Sequence, residues 1–429
     1  MNIAINGWAA LKCMANFAMS AFQCCLLALF LYQFCISVFG FGWFKRKEDG
    51  VDKYPPSNKF ALIVAAHNEE VVVGNIVRNL KSLDYPKELY DVFVVADNCS
   101  DNTAKVARDN GAYVYERFDG KLKGKGHALN WMFKQLSGLK ENYDAVCIFD
   151  ADNLASPNFL KVMNKHLCKG HKVVQAYLDS KNPFDTWISG SYSIAYWISN
   201  RLFQLPRYYL GLCCALGGTG FAMSADIVRE IGWNATCLTE DLEFSIQLVL
   251  KGMKVYWAHD ASVYDEKPLT LAQSWKQRKR WMQGQADCAC RYIGRLFRKA
   301  VKDKDIVALD CAVYLLQPLL LAVSGLLTFA QIIMEILLAK GNGGLFDAGS
   351  IPALLLTLVL SYGSGVFVGI EGRFSLKILK GFFLLPLFGL SWIPIIIQGY
   401  IDKNEREWAH TMHTRAVDMA DIIKLRRVG

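Results

Sequence analysis

The sequence lacks the cysteine spacing of a zinc site: its 13 cysteines are scattered, and Cys288 and Cys290 have no second pair nearby. We interpret them as small apolar side chains in a reducing compartment. The sequence also has no glycine-rich loop of the Walker or Rossmann type, which excludes both of these modes of phosphate binding. It has no basic tail and no nucleic-acid-binding motif. Its net charge of +9 therefore favours an anionic membrane surface, and not nucleic acid, as its partner.

Charged residues are absent from four long stretches. Residues 13–44 contain none, exceed the ~20 residues of a membrane-spanning helix, and are followed by Lys45, Arg46 and Lys47. The positive-inside rule therefore predicts that the chain after this anchor is cytoplasmic. The other uncharged stretches are residues 311–334, 348–370 and 381–401.

These stretches divide the chain into four parts. We predict an anchor at residues 1–47, a cytoplasmic domain at residues 48–285, an interfacial helix with a membrane bundle at residues 286–401, and a cytoplasmic tail at residues 402–429. Residues 182–210 are aromatic-rich and mostly uncharged, which is typical of an amphipathic helix on the membrane surface or of a packed core helix. We favour the surface helix. The predicted protein is a multi-pass protein of the plasma membrane.

Three short apolar runs in the cytoplasmic domain, residues 60–66, 91–96 and 145–149, have the continuous hydrophobicity of buried parallel strands. Stretches of helical character, residues 69–83 and 102–110, separate them. This β-α-β-α-β order predicts a doubly wound α/β sheet, in which ligands bind beyond the carboxyl ends of the strands.

Acidic residues follow all three predicted strands. Glu70 and Asp101 are equally well explained as helix caps. Asp150 and Asp152 follow the third strand and alternate along an extended segment, so we expect both carboxylates to point the same way. Such a pair predicts a partial Mg²⁺ or Mn²⁺ site that a ligand's phosphates complete. Lys125 is a candidate for neutralising those phosphates, and a solvated surface lysine is the alternative.

A second acidic motif, Thr239-Glu240-Asp241, precedes a helical pattern. Thr239 with Glu243 nearby is also typical of a helix cap. Asp241 is a candidate general base for an acceptor hydroxyl, provided that its pKa is raised. Upstream, Gly218 and Thr219 lie in the segment GGTG, whose backbone a substrate can approach closely.

The segment SWKQRKRWMQG, residues 274–284, places basic and aromatic residues shortly before a membrane run. A basic collar at the membrane surface is one interpretation. On a helix, however, Gln277, Arg280 and Trp281 fall on one face. We predict that these three belong to a binding site, and that the remaining basic residues, Lys276, Arg278 and Lys279, form the collar.

The segments HNEE, ADNCSD, GKGHALN, FDADN, GGTG, LTED and QRKRW occur in the order found in processive family 2 glycosyltransferases, which include cellulose, hyaluronan, chitin and mixed-linkage glucan synthases. The resemblance covers about residues 58–285. It implies a GT-A type fold, a doubly wound mixed sheet, with interfacial and transmembrane helices. Two departures are Ala66-His67-Asn68-Glu69, without the usual proline and tyrosine, and Asn98 where many relatives carry a second aspartate.

The resemblance also implies roles for individual residues. Those that would hold a UDP-sugar are Glu69, Asp97, Lys125, Asp150 and Asp152, with Asp152 as the direct Mg²⁺ or Mn²⁺ ligand. The catalytic residues would be Asp241, Glu240 and Arg280, with Asp241 as the base and Arg280 assisting the leaving diphosphate. Residues at the acceptor end would be Gln277, Trp281, Gly218 and Thr219.

The tail segment with Trp408, Thr411, His413 and Arg415 resembles the family's gating segment, which folds over the bound nucleotide, although a plain soluble tail is the alternative. Three full spans after the cytoplasmic domain would place this tail outside the cell. Because the motif and the basic ending KLRRVG favour the inside, one apolar stretch must be re-entrant or interfacial. Residues 381–401, with two prolines, are our choice.

The expected function is that of an inverting, processive glycosyltransferase that extends a β-linked polysaccharide at the cytoplasmic face and translocates it. A β-glucan made from UDP-glucose is the favoured product. One alternative is a single transfer to a lipid acceptor. A non-catalytic scaffold or transporter is the other, and the intact set of Asp150, Asp152, Asp241 and Arg280 argues against it.

Overall fold

The computed structural model describes residues 22, 24–41, 48–233, 236–339, 363, 365–371, 375–405 and 415–427. Its centre is a sheet of eight strands in the order β3-β2-β1-β4-β7-β6-β8-β5. The strands are β1 (Phe60–Ala66), β2 (Tyr90–Asp97), β3 (Tyr113–Arg117), β4 (Ala145–Asp150), β5 (Leu154–Ala155), β6 (Val173–Ser180), β7 (Phe221–Ser224) and β8 (Tyr256–Asp265).

The apolar runs of the sequence form the centre of this sheet. β1, β2 and β4 coincide with the three predicted strands to within a residue at each end, and nearly all of their side chains are buried. β1 lies between β2 and β4 and pairs in parallel with both. β7 is antiparallel to both of its neighbours, so the sheet is mixed, as the resemblance implied.

β3 was not predicted. It lies at the edge of the sheet, parallel to β2; its first four side chains are exposed or half-buried, and the last, Arg117, is buried. An edge strand of this kind has no apolar run to reveal it. The missed strand matters because its last residue, Arg117, pairs in register with Asp97 of β2.

Helices cover both faces of the sheet and extend beyond it. They are α1 (Cys24–Phe41), α2 (Val73–Lys81), α3 (Thr103–Asp109), α4 (Lys125–Ser137), α5 (Phe159–Cys168), α6 (Trp187–Ser199), α7 (Leu205–Leu210), α8 (Ala225–Ile231), α9 (Glu240–Leu250), α10 (Leu271–Lys302), α11 (Ile306–Ala339), α12 (Gly365–Ile370), α13 (Leu379–Phe383), α14 (Leu385–Leu390), α15 (Trp392–Ile401) and α16 (Met419–Arg427).

Residues 182–210 form α6, a π-helical turn and α7, and most of their side chains are buried within the protein. A capping box between Thr186 and Ser189 begins α6. At Gly190 the helix meets α13 so closely that a methyl group there would lie 3.3 Å from the Cα of Gly381. The segment is therefore packed, which was the alternative to our choice of a surface helix. Contact of its remaining surface with lipid stays a prediction.

Two helices within the described residues are long and apolar enough to cross a membrane, Cys24–Phe41 and Ile306–Leu327. A third candidate is bent by 43° between Leu376–Phe383 and Leu385–Ile401. The bend lies directly before Pro386, which cannot continue a preceding helix. This irregular segment is the one that the sequence singled out as interfacial or re-entrant.

The described part of the tail lies against the domain that contains the sheet. Asn75 of α2 donates from Nδ2 to the Val417 carbonyl at 3.1 Å. Ile422 of α16 packs with Leu154 and Tyr264 at the β5–β8 edge of the sheet. The tail and this domain are thus on the same side of any membrane that the protein crosses.

A buried ion pair connects the domain to α11. Arg207 of α7 donates from Nε and Nη2 to the two carboxylate oxygens of Asp310, each at 2.9 Å, and both side chains are almost wholly buried. Tyr32 of α1 donates to the same carboxylate at 3.0 Å, and Gln33 accepts from Arg207 at 3.2 Å. Three helices therefore share one bidentate pair, the strong geometry for arginine and carboxylate.

We expect Asp310→Asn to lower the free energy of unfolding by about 3–5 kcal/mol, because it leaves the Arg207 charge buried without its partner. Glu116→Gln breaks the exposed pair with Arg108 and is the control, with an expected loss below about 1 kcal/mol. Unfolding of the purified protein in detergent measures both. Equal losses would contradict a special contribution from the buried pair.

Candidate active site

A cavity of about 1590 Å³ opens at the carboxyl ends of the central strands. At one end its wall contains residues that follow β1, β2 and β4. At the other end it is lined by α10, α11 and α15. Every predicted site residue outside the tail lines this one cavity: Glu69, Asp97, Lys125, Asp150, Asp152, Gly218, Thr219, Glu240, Asp241, Gln277, Arg280 and Trp281.

Asp97, at the end of β2, is held by a buried arginine. Arg117 donates from Nη1 to Asp97 Oδ1, and the two side chains are 5% and 7% exposed. Arg117 also donates from Nη2 to the Leu122 carbonyl at 2.6 Å, which attaches the following loop. Glu69 lies nearby in the wall and is buried. Sequence reasoning missed Arg117 because it missed β3.

Lys125 is not a solvated surface lysine. Its ammonium group donates to Asp150 Oδ1 at 2.5 Å and to the Gly218 carbonyl at 2.7 Å. It begins α4 directly after Gly124, whose φ of 106° a residue with a side chain would rarely adopt. One cation thus connects the end of β4 to the GGTG segment.

We expected Asp152 to follow Asp150 along an extended strand, and the structure differs. β4 ends at Asp150 and the chain turns, yet both carboxylates line the cavity. Asp152 accepts hydrogen bonds from Asn153 Nδ2 at 3.1 Å and from the Glu266 backbone N–H at 2.9 Å. These donors favour the ionised carboxylate and fix its orientation.

The carboxylate pair suits a hard divalent cation. Within the described ranges no group of three His, Cys, Asp or Glu side chains is placed to hold a metal ion. Asp150 and Asp152 alone supply oxygen ligands of the type that Mg²⁺ and Mn²⁺ prefer, and the remaining positions are left for phosphate and water. The donor set therefore fits the partial metal site that the sequence predicted.

Two other acidic residues are structural, as their alternative interpretation held. Asp101 accepts from the Thr103 backbone N–H at 3.0 Å at the start of α3. Glu70 accepts from the Asn102 backbone N–H at 2.9 Å. Both carboxylates therefore satisfy N–H groups that a helix leaves free at its first turn.

The Thr-Glu-Asp motif starts α9, but it is not a capping box. The Thr239 side chain makes no cap hydrogen bond, and Glu243 accepts instead from Arg291 Nη1 and Tyr292 Oη of α10, each at 2.7 Å. Burial raises the pKa of Glu240 to about 7, and the charge of Asp241 adds to this rise. Burial also raises the pKa of Asp241, opposed by the Leu242 backbone N–H and the charge of Lys125.

Gln277, Arg280 and Trp281 share the cavity-facing side of α10. Gln277 accepts from the Tyr192 hydroxyl at 3.1 Å, and the Tyr192 and Trp281 rings meet edge to face at 6.3 Å. The charge of Arg280 opposes the rise of the Glu240 pKa, so the guanidinium lies near the Thr-Glu-Asp motif. The helical phase predicted this face correctly.

The predicted basic collar is wrong for Arg278. Its side chain is fully buried and donates from Nη1 to the Phe388 carbonyl at 3.4 Å and to Ser391 Oγ at 2.9 Å. Lys279 is half-buried and pairs with Asp402. Only Lys276 is exposed, as a collar residue must be.

A sequence model described as "Glycosyltransferase like family 2" matches residues 55–284, more than half of the chain. The chain belongs to this glycosyltransferase family. The matched region ends at Gly284, so it contains every predicted site residue outside the tail.

Curated relatives of this glycosyltransferase include enzymes with different named products. The probable glycosyltransferase YdaM of Bacillus subtilis is 25% identical over 65% of this chain and 68% of that protein. The beta-monoglucosyldiacylglycerol synthase of Synechocystis is 31% identical over 53% of this chain and 48% of that protein. The poly-beta-1,6-N-acetyl-D-glucosamine synthase of Staphylococcus aureus is 26% identical over 52% and 53%. The match thus spans about half the length of the last two.

Among solved structures, a mannosyltransferase from Pyrobaculum calidifontis, in complex with GDP-Man and Mn²⁺, is similar over 89% of this chain and 99% of that chain. The TM-score is 0.57 and the sequence identity is 15%. At this identity the likeness shows the fold alone. The glycosyltransferase therefore has the GT-A type α/β fold, followed by C-terminal helices.

In the tail of the glycosyltransferase, Trp408, Thr411 and His413 lie outside the described residues. Arg415 pairs with the Asp185 carboxylate, and its backbone N–H donates to Glu266 Oε2 at 3.4 Å. The Glu266 backbone in turn donates to Asp152. Glu266 therefore contacts both Arg415, at the described start of the tail, and the carboxylate of Asp152.

We expect Arg117→Met to weaken UDP binding by about 10- to 100-fold, because the buried Asp97 carboxylate loses the cation that pairs with it and orients it. Arg108→Met, at the exposed pair with Glu116, is the control and leaves UDP affinity unchanged. Calorimetric titration with UDP measures both. Unchanged affinity of Arg117→Met would remove Asp97 from the nucleotide site.

Proposed function

We propose that this enzyme is an inverting, UDP-sugar-dependent glycosyltransferase that acts at the membrane face and extends a β-linked polysaccharide, with UDP-glucose as the favoured donor. One observation carries the proposal. A single cavity joins the carboxylates at the strand ends to Gln277, Arg280 and Trp281 on α10, and continues to Gln317 and Leu321 of the candidate membrane span α11.

The polar end of the cavity is the donor site. Asp97 and Glu69 would contact the uracil ring of the donor, and Lys125 would contact its diphosphate beside Asp150. Asp152 and Asp150 would hold Mg²⁺ or Mn²⁺, which would supply positive charge to the diphosphate as it leaves. Because Lys125 is already oriented by Asp150 and Gly218, it needs little reorganisation to act in this way.

Asp241 is the proposed base. Its carboxylate takes the proton of the acceptor hydroxyl as that oxygen attacks the anomeric carbon, and the bond from this carbon to the diphosphate oxygen breaks. Attack opposite to the leaving group converts an α-linked donor into a β-linked product. Asp241 Oδ2 would lie 3.3 Å from a Cβ at Gly218, so this glycine keeps the space before the base free. Arg280 would balance charge on the departing UDP.

The apolar end of the cavity is the acceptor site. Trp281 and Trp392 present flat aromatic faces, which suit the apolar face of a sugar ring, and Gln277 and Gln317 supply polar groups for hydroxyls. Beyond them the wall is formed by Pro318, Leu321 and Ile396. A growing polysaccharide would pass this wall on its way into the membrane.

A second candidate is a single transfer to a lipid acceptor. The apolar residues Leu321 and Ile396 favour it, because an acyl chain needs such a wall while a polysaccharide does not. The similarity to a beta-monoglucosyldiacylglycerol synthase supports the same acceptor class. Donor site and base would be identical in both candidates.

The proposed location is the plasma membrane, with the catalytic domain and the tail in the cytoplasm. Asp310, near the start of α11, pairs with Arg207, and Glu371, after α12, pairs with Arg201 at 3.3 Å. Both contacts hold described residues, at the two ends of residues 310–371, against the catalytic domain. The tail, with Trp408, Thr411, His413 and Arg415, would close over the nucleotide.

We expect Asp241→Asn to lower kcat by at least about 100-fold. A base with a raised pKa loses activity as pH falls through that pKa, so kcat/KM should rise with pH along an acidic limb. Glu240→Gln is the paired variant, because Glu240 has a pKa of about 7 and is the rival base. If Asp241 is the base, the limb persists in Glu240→Gln. Loss of the limb there would transfer the role to Glu240.

Product analysis separates the two acceptor classes. Membrane vesicles supplied in turn with radiolabelled UDP-glucose, UDP-N-acetylglucosamine and other UDP-sugars should give a polymer that remains in the aqueous phase and is cut by a β-linkage-specific hydrolase. UDP-glucose is expected to give the highest rate. A label found only in the solvent-extracted lipid would establish the lipid acceptor and contradict processive synthesis.

A further inference from the structure

Gly284 is the last residue of the segment SWKQRKRWMQG and lies on α10, one helical turn after Arg280. None of the roles described above involves it. It is nevertheless fully enclosed by protein, at the point where α10 meets the start of α9. This contact places Gly284 between the proposed base and the acceptor-facing side chains.

The contact at Gly284 leaves no room for any side chain. A Cβ there would lie 2.2 Å from Thr239 Oγ1, 2.6 Å from its Cγ2 and 2.8 Å from its Cβ. Atoms that are not bonded do not approach this closely. Because threonine carries two heavy atoms on Cβ, rotation of its side chain leaves one of them in the crowded space, and the contact to Cβ requires the Thr239 backbone to move. Thr239 immediately precedes Glu240 and Asp241.

The helices cannot relieve such a clash by separating freely, because other contacts hold them on each side. Further along, Glu243 accepts from Arg291 and Tyr292 of α10, each at 2.7 Å. Before the motif, Cys237 Sγ lies 3.6 Å from Cys288 Sγ. The displacement caused by a methyl group at position 284 is therefore directed into the Thr-Glu-Asp turn.

We propose that Gly284 is a positioning residue, which sets the distance between Asp241 on α9 and the side chains Arg280 and Trp281 on α10. The inference rests on the proposed role of Asp241 as base. Transfer requires the acceptor oxygen to lie in line with the anomeric carbon and the leaving oxygen, and the base to lie within hydrogen-bond reach of the acceptor hydroxyl. A misplacement of about 1 Å costs about 100-fold in rate. Glycine within a helix is less stable than alanine, and the close packing at position 284 explains why α10 carries a glycine there.

The test compares Gly284→Ala with Gly294→Ala on the same helix. A Cβ at Gly294 meets no atom within 4 Å, so Gly294→Ala is expected to leave kcat unchanged. Gly284→Ala is expected to lower kcat for UDP release from UDP-glucose by about 10- to 100-fold. Its KM for UDP-glucose and its Kd for UDP should stay at wild-type values, because the donor-binding residues lie at or just after the ends of β1, β2 and β4 and at the start of α4.

A rescue variant separates positioning from general damage. Thr239→Gly removes all three atoms that a Cβ at position 284 would meet. In the Thr239→Gly background, adding Gly284→Ala should therefore cost no further activity. Additive losses would overturn the proposal, as would equal kcat values for Gly284→Ala and Gly294→Ala, or a loss of UDP affinity in Gly284→Ala. The outcome is independent of Asp241→Asn, whose unchanged activity would instead remove the proposed base.

Discussion

The position of α10 is the constraint on which the rest of the structure depends. The helix has 32 residues and is therefore about 48 Å long. Gln277 bonds to Tyr192 of α6, Trp275 donates to Gln398 of α15 at 2.8 Å, and Gln285 donates to the Tyr314 carbonyl of α11 at 3.3 Å. The helices α6, α11 and α15 are thus each hydrogen-bonded to α10, which fixes their positions around the cavity. A rigid helix transmits this register to the active site more precisely than a loop.

Two buried arginines show different ways of compensating a charge in the same part of the molecule. Arg207 is neutralised by the carboxylate of Asp310. Arg278 contacts no carboxylate among the described residues; it bonds to the Phe388 carbonyl near the end of α14, where a helix carries partial negative charge. The Phe388 and Trp392 rings lie 4.3 and 4.9 Å from its guanidinium carbon, a favourable cation–π geometry. The second arginine thereby holds α14 and α15 against α10.

The sequence predicted the central strands and the cavity face of α10 because both depend on local periodicity. Continuous apolar runs identify buried strands, and helical phase separates Arg280 from Arg278. The features that the sequence did not predict depend on tertiary packing. In the sequence Arg278 has the pattern of a membrane collar, and only the packing of α14 shows that it is buried. The edge strand β3 has no long apolar run, so the sequence did not predict the pairing of Arg117 with Asp97. Residues 182–210 are as apolar as a surface helix; burial of most of their side chains and the contact of Gly190 with Gly381 show that protein covers one side, and lipid contact of the remaining surface stays a prediction.

The polarity of the cavity determines how its two substrates enter. Arg117 and Lys125 pair with carboxylates at the strand ends, and in the proposed mechanism this end holds the phosphate-bearing donor. The acceptor would therefore arrive along α11 and α15, and the product would leave by the same side. A polymer satisfies this by sliding past Trp281, and a lipid by returning to the bilayer. Under the proposed function, acceptor choice would reside in Leu321 and Ile396 rather than in the carboxylates, which would serve either acceptor equally.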